Sequence, residues 1–179
     1  NTASNSNTPS GVAATHPIAM GNAPKQLTYG SSNDIPVSWD GNNSILFLTR
    51  RLYAQVEREM EIYKVPISGG TPVTYSESLA MEAVYSPERS ALALVRGTCG
   101  SDREAYRGPA NREIWIYHPK NDTFYQLTDF NGNDCNVRWA DENTIYFMSS
   151  KSGRNNIYKM TLNAERNKSE KISQITNLK

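Results

Sequence analysis

Histidine and cysteine are nearly absent: His16, His118, Cys99 and Cys135 are the only ones in 179 residues. Two cysteines build neither a structural zinc cluster nor a disulfide framework. Neither histidine has a Gly-x-Ser-x-Gly elbow or a metal-ligand partner at useful spacing, and no glycine-rich phosphate cradle occurs. A catalytic triad, a metal hydrolase and a nucleotide site therefore all lack their parts. Excess charge of one sign is missing as well, with 19 Lys+Arg against 18 Asp+Glu. No block of like charge is present to recruit nucleic acid or a membrane surface. No apolar run is long enough to cross a bilayer, and no charged stretch followed by an apolar one opens the chain as a secretion signal would. No cofactor, metal or nucleic acid is expected, nor membrane insertion, and chemistry by this chain alone is not expected either.

What is there is a recurring pattern of short strands joined by turn residues. Residues 1–10 are Asn, Ser and Thr with one Pro, a composition that buries nothing and reads as a flexible polar terminus. Residues 11–28 close on Gln26-Leu27-Thr28 and read as half a unit. Three full units follow, at about 35–75, 83–128 and 137–176. Each begins with a short entry strand (Val37–Trp39, Ala83–Tyr85, Val137–Trp139) and a turn such as Asp40-Gly41-Asn42, which tolerates left-handed backbone. The expected closing threonines are Thr28, Thr74, Thr128 and Thr176, at intervals of 46, 54 and 48 residues. A period in the forties with four strands per unit points to an all-β fold of four-stranded antiparallel propeller blades. About three and a half blades are present. Propellers typically close with roughly 4–8 blades, so this partial β-propeller over 11–179 is expected to belong to a larger six- or seven-bladed ring. Its exposed edges would be completed by more of its own polypeptide or by a second chain.

The unit Gln126-Leu127-Thr128, Val137-Arg138-Trp139, Ile145-Tyr146-Phe147 and Gly153–Tyr158 resembles the WD-like repeats of TolB-type propellers. The run Tyr106-Arg107-Gly108-Pro109-Ala110-Asn111-Arg112-Glu113-Ile114-Trp115-Ile116-Tyr117, with Lys64–Pro72 beside it, resembles the amino-terminal propeller of tricorn-like serine peptidases. The resemblance spans roughly Ala14 to Thr176. Departures sit in the turns, such as Ser86-Pro87-Glu88-Arg89 in place of Ser-Pro-Asp-Gly, and at Lys151, where an acid is usual. In the peptidase family the propellers precede a PDZ-like domain and a serine peptidase core. The resemblance therefore implies a non-catalytic propeller portion that guides or gates peptides and makes protein contacts. The alternative is a TolB-like interaction scaffold without a peptidase. A periplasmic or otherwise extracytoplasmic location follows from the TolB side of the resemblance, with the cytoplasm as alternative.

In four-stranded blades the second-to-third-strand loops and the inter-blade loops share one face. The insertions Arg50–Glu61 and Gly97–Glu113 fall there, as do the inter-blade segments Gly30–Pro36, Ser76–Glu82 and Asp129–Asn136. Long loops on a rigid scaffold are where binding concentrates. Arg103, Tyr106, Arg107 and Arg112 place cations and an aromatic ring on that face, suited to peptide carboxylates and carbonyls, although Arg103, Arg107 and Arg112 equally suit a purely anchoring role. The acids Glu57, Glu59, Asp102 and Glu104 border these Arg-rich insertions and read as solvated ion-pair partners. Trp39, Trp115 and Trp139 read as core residues, and His16 and His118 as surface ones. Cys99 and Cys135 fall near one face on adjacent blades, where unpaired thiols are preferred over a disulfide.

Overall fold

The computed structural model describes residues 23–55, 58–129 and 131–179. The readings of 1–10 as a terminus, of 11–22 as the start of a half blade, and of His16 and Glu57 lie outside the described residues. Among the described residues, twelve strands form three four-stranded antiparallel sheets, each a meander of consecutive strands. The first blade is β1 (Ile35–Asp40), β2 (Ser44–Thr49), β3 (Met60–Pro66) and β4 (Val73–Ala80). The second is β5 (Glu82–Tyr85), β6 (Leu92–Arg96), β7 (Glu113–His118) and β8 (Thr123–Gln126). The third is β9 (Cys135–Asp141), β10 (Thr144–Ser149), β11 (Asn156–Leu162) and β12 (Ser169–Gln174). The first strands β1, β5 and β9 lie side by side as the inner wall. This is the partial propeller that the repeat implied.

The Gln-x-Thr endings have a mechanical role. The Gln126 side chain donates to Thr128 O at 2.7 Å, Gln174 to Thr176 O at 2.7 Å and Gln26 to Thr28 O at 2.8 Å. Thr128 Oγ1 accepts the Ile114 N–H at 2.9 Å and donates to Glu113 Oε2 at 2.7 Å. Thr176 Oγ1 accepts from Ile157 N at 2.9 Å and donates to Asn156 Oδ1 at 2.9 Å. The hydroxyl thus continues the ladder one step past the end of the outer strand, satisfying a backbone donor that burial would otherwise strand.

In the first blade this register differs from the expected one. Thr74 lies opposite Tyr63, the place that Gln126 takes opposite Trp115 and Gln174 opposite Tyr158. Ser76, opposite Ile62, takes the threonine's position. The expected inter-blade loop Ser76–Glu82 is likewise mostly strand: β4 continues through register shifts to pair Leu79 with Glu61 and Ala80 with Met60, so only Met81 separates β4 from β5.

Two clusters glue the blades together. Ala93, Val95, Ile114, Ile116 and Leu127 of the second blade pack on Val137, Ile145, Phe147, Tyr158 and Met160 of the third. Leu46, Leu48 and Ile62 of the first pack on Leu92, Leu94 and Tyr117 of the second. Each fully buried aliphatic side chain here contributes about 1.5–3 kcal/mol. A third, smaller cluster of Phe47, Tyr63 and Val65 on the outer side of the first blade is covered by Leu27.

Trp115 and Trp139 pack against these cores as expected, but Trp39 does not, being 52% exposed. The reason is positional. Trp139 lies opposite Ile145 on the inner strand and sends its indole N–H back to Val84 O of the preceding blade at 2.9 Å. Trp39 lies opposite Ile45 in the same register, and no blade precedes it among the described residues. At the other end, Ile175 and Ile157 are 54% and 46% exposed, whereas Leu127 and Ile114, their counterparts in the second blade, are buried under the third.

Candidate functional site

The loop from residue 97 to 112 dominates one face and is closed at its base by a steric necessity. Gly97 has φ 106°, and a Cβ there would stand 1.9 Å from Asn111 O. Any side chain would collide with backbone, so this crossing of the two loop ends requires glycine. Above it Cys99 N–H donates to Ala110 O at 2.8 Å, and turns follow at Gly100–Arg103, Arg103–Tyr106 and Gly108–Asn111. The loop is then stapled to its neighbours. Asn133 Nδ2 donates to Gly100 O and Asn111 Nδ2 to Gly132 O, both at 2.7 Å. Glu104 accepts the Asn155 N–H at 2.9 Å and pairs with Arg154 at 3.3 Å. Gly132 and Asn133 of the inter-blade segment and the third blade's turn therefore hold this insertion in one shape, which is how a long loop becomes a usable surface.

The four candidate residues separate into two places. Arg103 and Tyr106 stay together: the Arg103 guanidinium lies over the Tyr106 ring, 4.7 Å from its centroid. Arg103 is exposed and has no ion-pair partner among the described residues. The ring positions the cation without neutralising it. Both line an open groove of about 720 Å³, with Glu104, Arg107, Gly153 and Arg154 on its walls. Arg107 is committed to its own chain, donating to Glu104 O and Tyr106 O at 2.7 Å and to Ser150 O at 2.8 Å. It is the bolt between this loop and the third blade. Arg112 lies elsewhere, on the inner wall, 3.5 Å from Glu82.

Residues that the repeat pattern did not single out carry the electrostatics below this face. Asp34 and Asp134 stand at the same point of the first and third blades. Burial acts to raise the Asp34 carboxyl, but hydrogen bonds from Thr49, Thr28 and Arg51 outweigh it and hold the group below the ordinary range. Arg51 reaches it at 2.5 Å and Thr49 at 2.6 Å. Burial dominates at Asp134 and pushes its carboxyl up, against hydrogen bonds from Ser149 and Thr128 and the charge of Lys151. A signal for both was present: each acid follows a Gln-x-Thr threonine by six residues, and a hydroxyl (Thr49, Ser149) follows each acid by fifteen.

The described residues hold no arrangement for covalent chemistry. Cys99 and Cys135 are both free and buried. Burial, reinforced by Glu82, pushes the Cys135 thiol up to about 11, which keeps it protonated and unreactive. His118 is half-buried rather than exposed, edge-on to Tyr125 at 5.7 Å. No group of three metal-ligating side chains occurs among the described residues. The loop face presents a guanidinium with no ion-pair partner among the described residues, an aromatic ring and a stiff frame.

Comparison with known proteins agrees with this architecture. Residues 15–179 match the family described as the tricorn protease N-terminal beta propeller domain. TolB from Acinetobacter baumannii superposes with a TM-score of 0.58 at 20% identity, over 83% of this chain and 33% of that one. The β-propeller domain of the Trilobed protease from Pyrococcus furiosus gives 0.53 at 9% identity, over 81% and 43%. The tricorn protease gives 0.51 at 15% identity, over 74% and 14%. The chain thus spans less than half of each of these proteins, and the likeness to them is one of fold. Among curated proteins none matches.

Proposed function

Because the chain belongs to the family of tricorn protease N-terminal β-propeller domains, we propose that it is the non-catalytic propeller portion of a peptidase, guiding or gating peptides. Proteolysis then takes place outside these residues. The observation that carries this reading is Arg103, exposed, free of any acid among the described residues and steadied over Tyr106 on a braced loop. Such a cation suits carboxylates and carbonyls of a passing peptide. Arg107 supports the site by fixing the loop, and Arg112 meets peptide from the inner wall. The alternative, a TolB-like interaction scaffold, draws on the TolB superposition and differs in having no peptidase attached. An extracytoplasmic location goes with the TolB side of the likeness, the cytoplasm being the alternative; no helix among the described residues is long and apolar enough to cross a membrane.

Completion of the ring is part of the proposal. The first blade's outer face already bears Leu27 in the place that Leu127 takes on the third blade. A second copy would bring its own fourth strand to that place, so we favour further blades of the same polypeptide. The test of the binding site pairs two variants. Arg103→Ala should weaken binding of a labelled peptide several-fold and leave the thermal midpoint unchanged. Arg107→Ala should lower the midpoint by about 2–4 °C, the equivalent of about 1 kcal/mol in a chain of this size. Equal loss of midpoint in both variants would make Arg103 another brace and end this reading.

A further inference from the structure

Two cavities that share Ile35 and Met81 run into each other along the inner wall. The upper one, of about 510 Å³, is lined by Ile35, Ala54, Met60 and Met81 together with Ser32, Asn33 and Arg50. The lower one, of about 560 Å³, passes Val37 and Ala83 and ends at Arg112, Asn136 and Arg138. Together they make a groove lined by all three inner strands, with an apolar patch of Ile35, Met60 and Met81 at one end and Arg112 and Arg138 at the other. Ile35 is 46% exposed within it.

Its charge is unbalanced once each group's engagements are followed. Glu82 is the one acid among the lining residues, and it is already used: it pairs with Arg112 at 3.5 Å and accepts the Asn136 N–H at 3.1 Å. Arg138 is exposed, and its guanidinium donates only to Val137 O, at 2.7 Å. Among the described residues no carboxylate lies within ion-pair distance of it. Arg50 at the far rim donates to Arg58 O. A ligand here therefore meets an apolar patch beside Arg50, then the unneutralised guanidinium of Arg138, with no free acid to attract a basic group.

We infer that this groove selects peptides in which an apolar side chain is followed by an acidic one. The apolar side chain sits against Ile35, Met60 and Met81, and the Asp or Glu carboxylate of the peptide bonds to Arg138. A guanidinium binds a carboxylate in paired, charge-assisted hydrogen bonds, while an extended chain presents successive side chains about 3.3 Å apart along the groove. This inference rests on the peptide-guiding reading and adds a specificity to it. It also separates two roles: Arg103 samples peptides at the loop face, and Arg138 sorts them at the inner wall.

The test uses the whole chain and three peptides that carry the same net-neutral fluorophore on the N-terminus and are amidated at the C-terminus, so that only side chains carry charge. One is Gly-Leu-Leu-Glu-Asp, one has Lys in place of both acids, and one has Gly in place of both Leu. Anisotropy titration should rank the first about tenfold or more tighter than the other two, and the gap to the Lys peptide should close as salt screens the pair. Arg138→Glu should reverse the preference between the acidic and basic peptides, and Met81→Asp should remove the advantage of Leu. Circular dichroism spectra of both variants matching the parent would show that the fold is kept, and Arg138→Gln, which only removes the charge, provides a second route to the same loss. Equal binding of acidic and basic peptides, or an unchanged preference in Arg138→Glu and Arg138→Gln, would overturn the inference while leaving the peptide-guiding reading intact. Failure to bind any of the three would overturn both.

Discussion

The first and third blades carry the same parts one hundred positions apart. Thr28, Asp34, Trp39, Ile45, Phe47, Thr49 and Arg51 answer to Thr128, Asp134, Trp139, Ile145, Phe147, Ser149 and Lys151. Yet the two sets behave differently, and in each case the cause is a neighbour. Trp139 has a preceding blade to pack on and Trp39 has none described. Asp34 has a guanidinium at 2.5 Å. The cation in the third blade, Lys151, instead lies over the Tyr158 ring, 4.7 Å from its centroid. A repeat fixes where a side chain stands; what it is worth depends on what the adjoining segment places against it.

The largest effect should come from the tryptophans. Trp139→Ala removes an inter-blade hydrogen bond and most of a large side chain from the second interface, and should cost about 3 kcal/mol in urea unfolding. Trp39→Ala in the same chain should stay within about 0.5 kcal/mol, as an exposed substitution does. A comparable loss at both positions would mean that Trp39 is covered in solution, and the contrast between the two ends of the molecule would fall.

The acids should separate next, and by pH rather than by amount. For Asp34 the folded state lowers the pKa from its ordinary 3.8. Its contribution is therefore present above that value and lost as pH falls through the lower, folded one. Asp34→Asn should destabilise at pH 7 by about 1–3 kcal/mol, and the difference should shrink in acid. For Asp134 the folded state raises the pKa above 3.8. That contribution is present below 3.8 and lost as pH rises through the raised value. Asp134→Asn should accordingly compare least favourably with the parent in acid and improve toward neutrality. Parallel pH profiles for the two variants would show that the corners are electrostatically alike after all.

Much of this was legible in the chain, for reasons visible at particular residues. Turn chemistry at Asp40-Gly41 and the Gln-x-Thr endings announce hairpins and blade ends because each performs its local task without help from distant segments. Thr74 misled because the choice between it and Ser76 is made by register shifts between β3 and β4, a pairing that leaves no local trace. Trp39 misled for the opposite reason: its composition and spacing are those of a core residue, and only the absence of a described neighbour exposes it. On the loop face, Arg103 and Arg107 are indistinguishable in sequence. Arg107 became a brace because the third blade's Ser150 carbonyl happens to lie within 2.8 Å of it, a fact of tertiary geometry. The inner groove, drawn from β1, β5 and β9 together, had no contiguous motif to reveal it.

The smallest effect is also the one that isolates a cause. Asp34 and Asp134 differ in two respects, the cation nearby and the depth of burial, since Asp34 is half-buried and Asp134 is 4% exposed. Lys151→Arg changes only the first. Arginine is longer, planar and able to bond a carboxylate while remaining stacked on a ring, as Arg51 does with Asp34 while lying 5.4 Å from the Phe47 centroid. If the cation decides, the variant should gain up to about 1 kcal/mol at pH 7, the worth of a favourable ion pair, and the gain should shrink toward acid, because the folded state raises the Asp134 pKa and protonation removes that side's charge. Denaturant unfolding at pH 4 and pH 7 reads both numbers. If stability is unchanged at both values, depth of burial rather than the partner sets the Asp134 proton, and the two corners differ because Asp134 lies against the end of the loop from 97 to 112, with its N–H on Arg112 O, while no such loop stands beside Asp34 among the described residues.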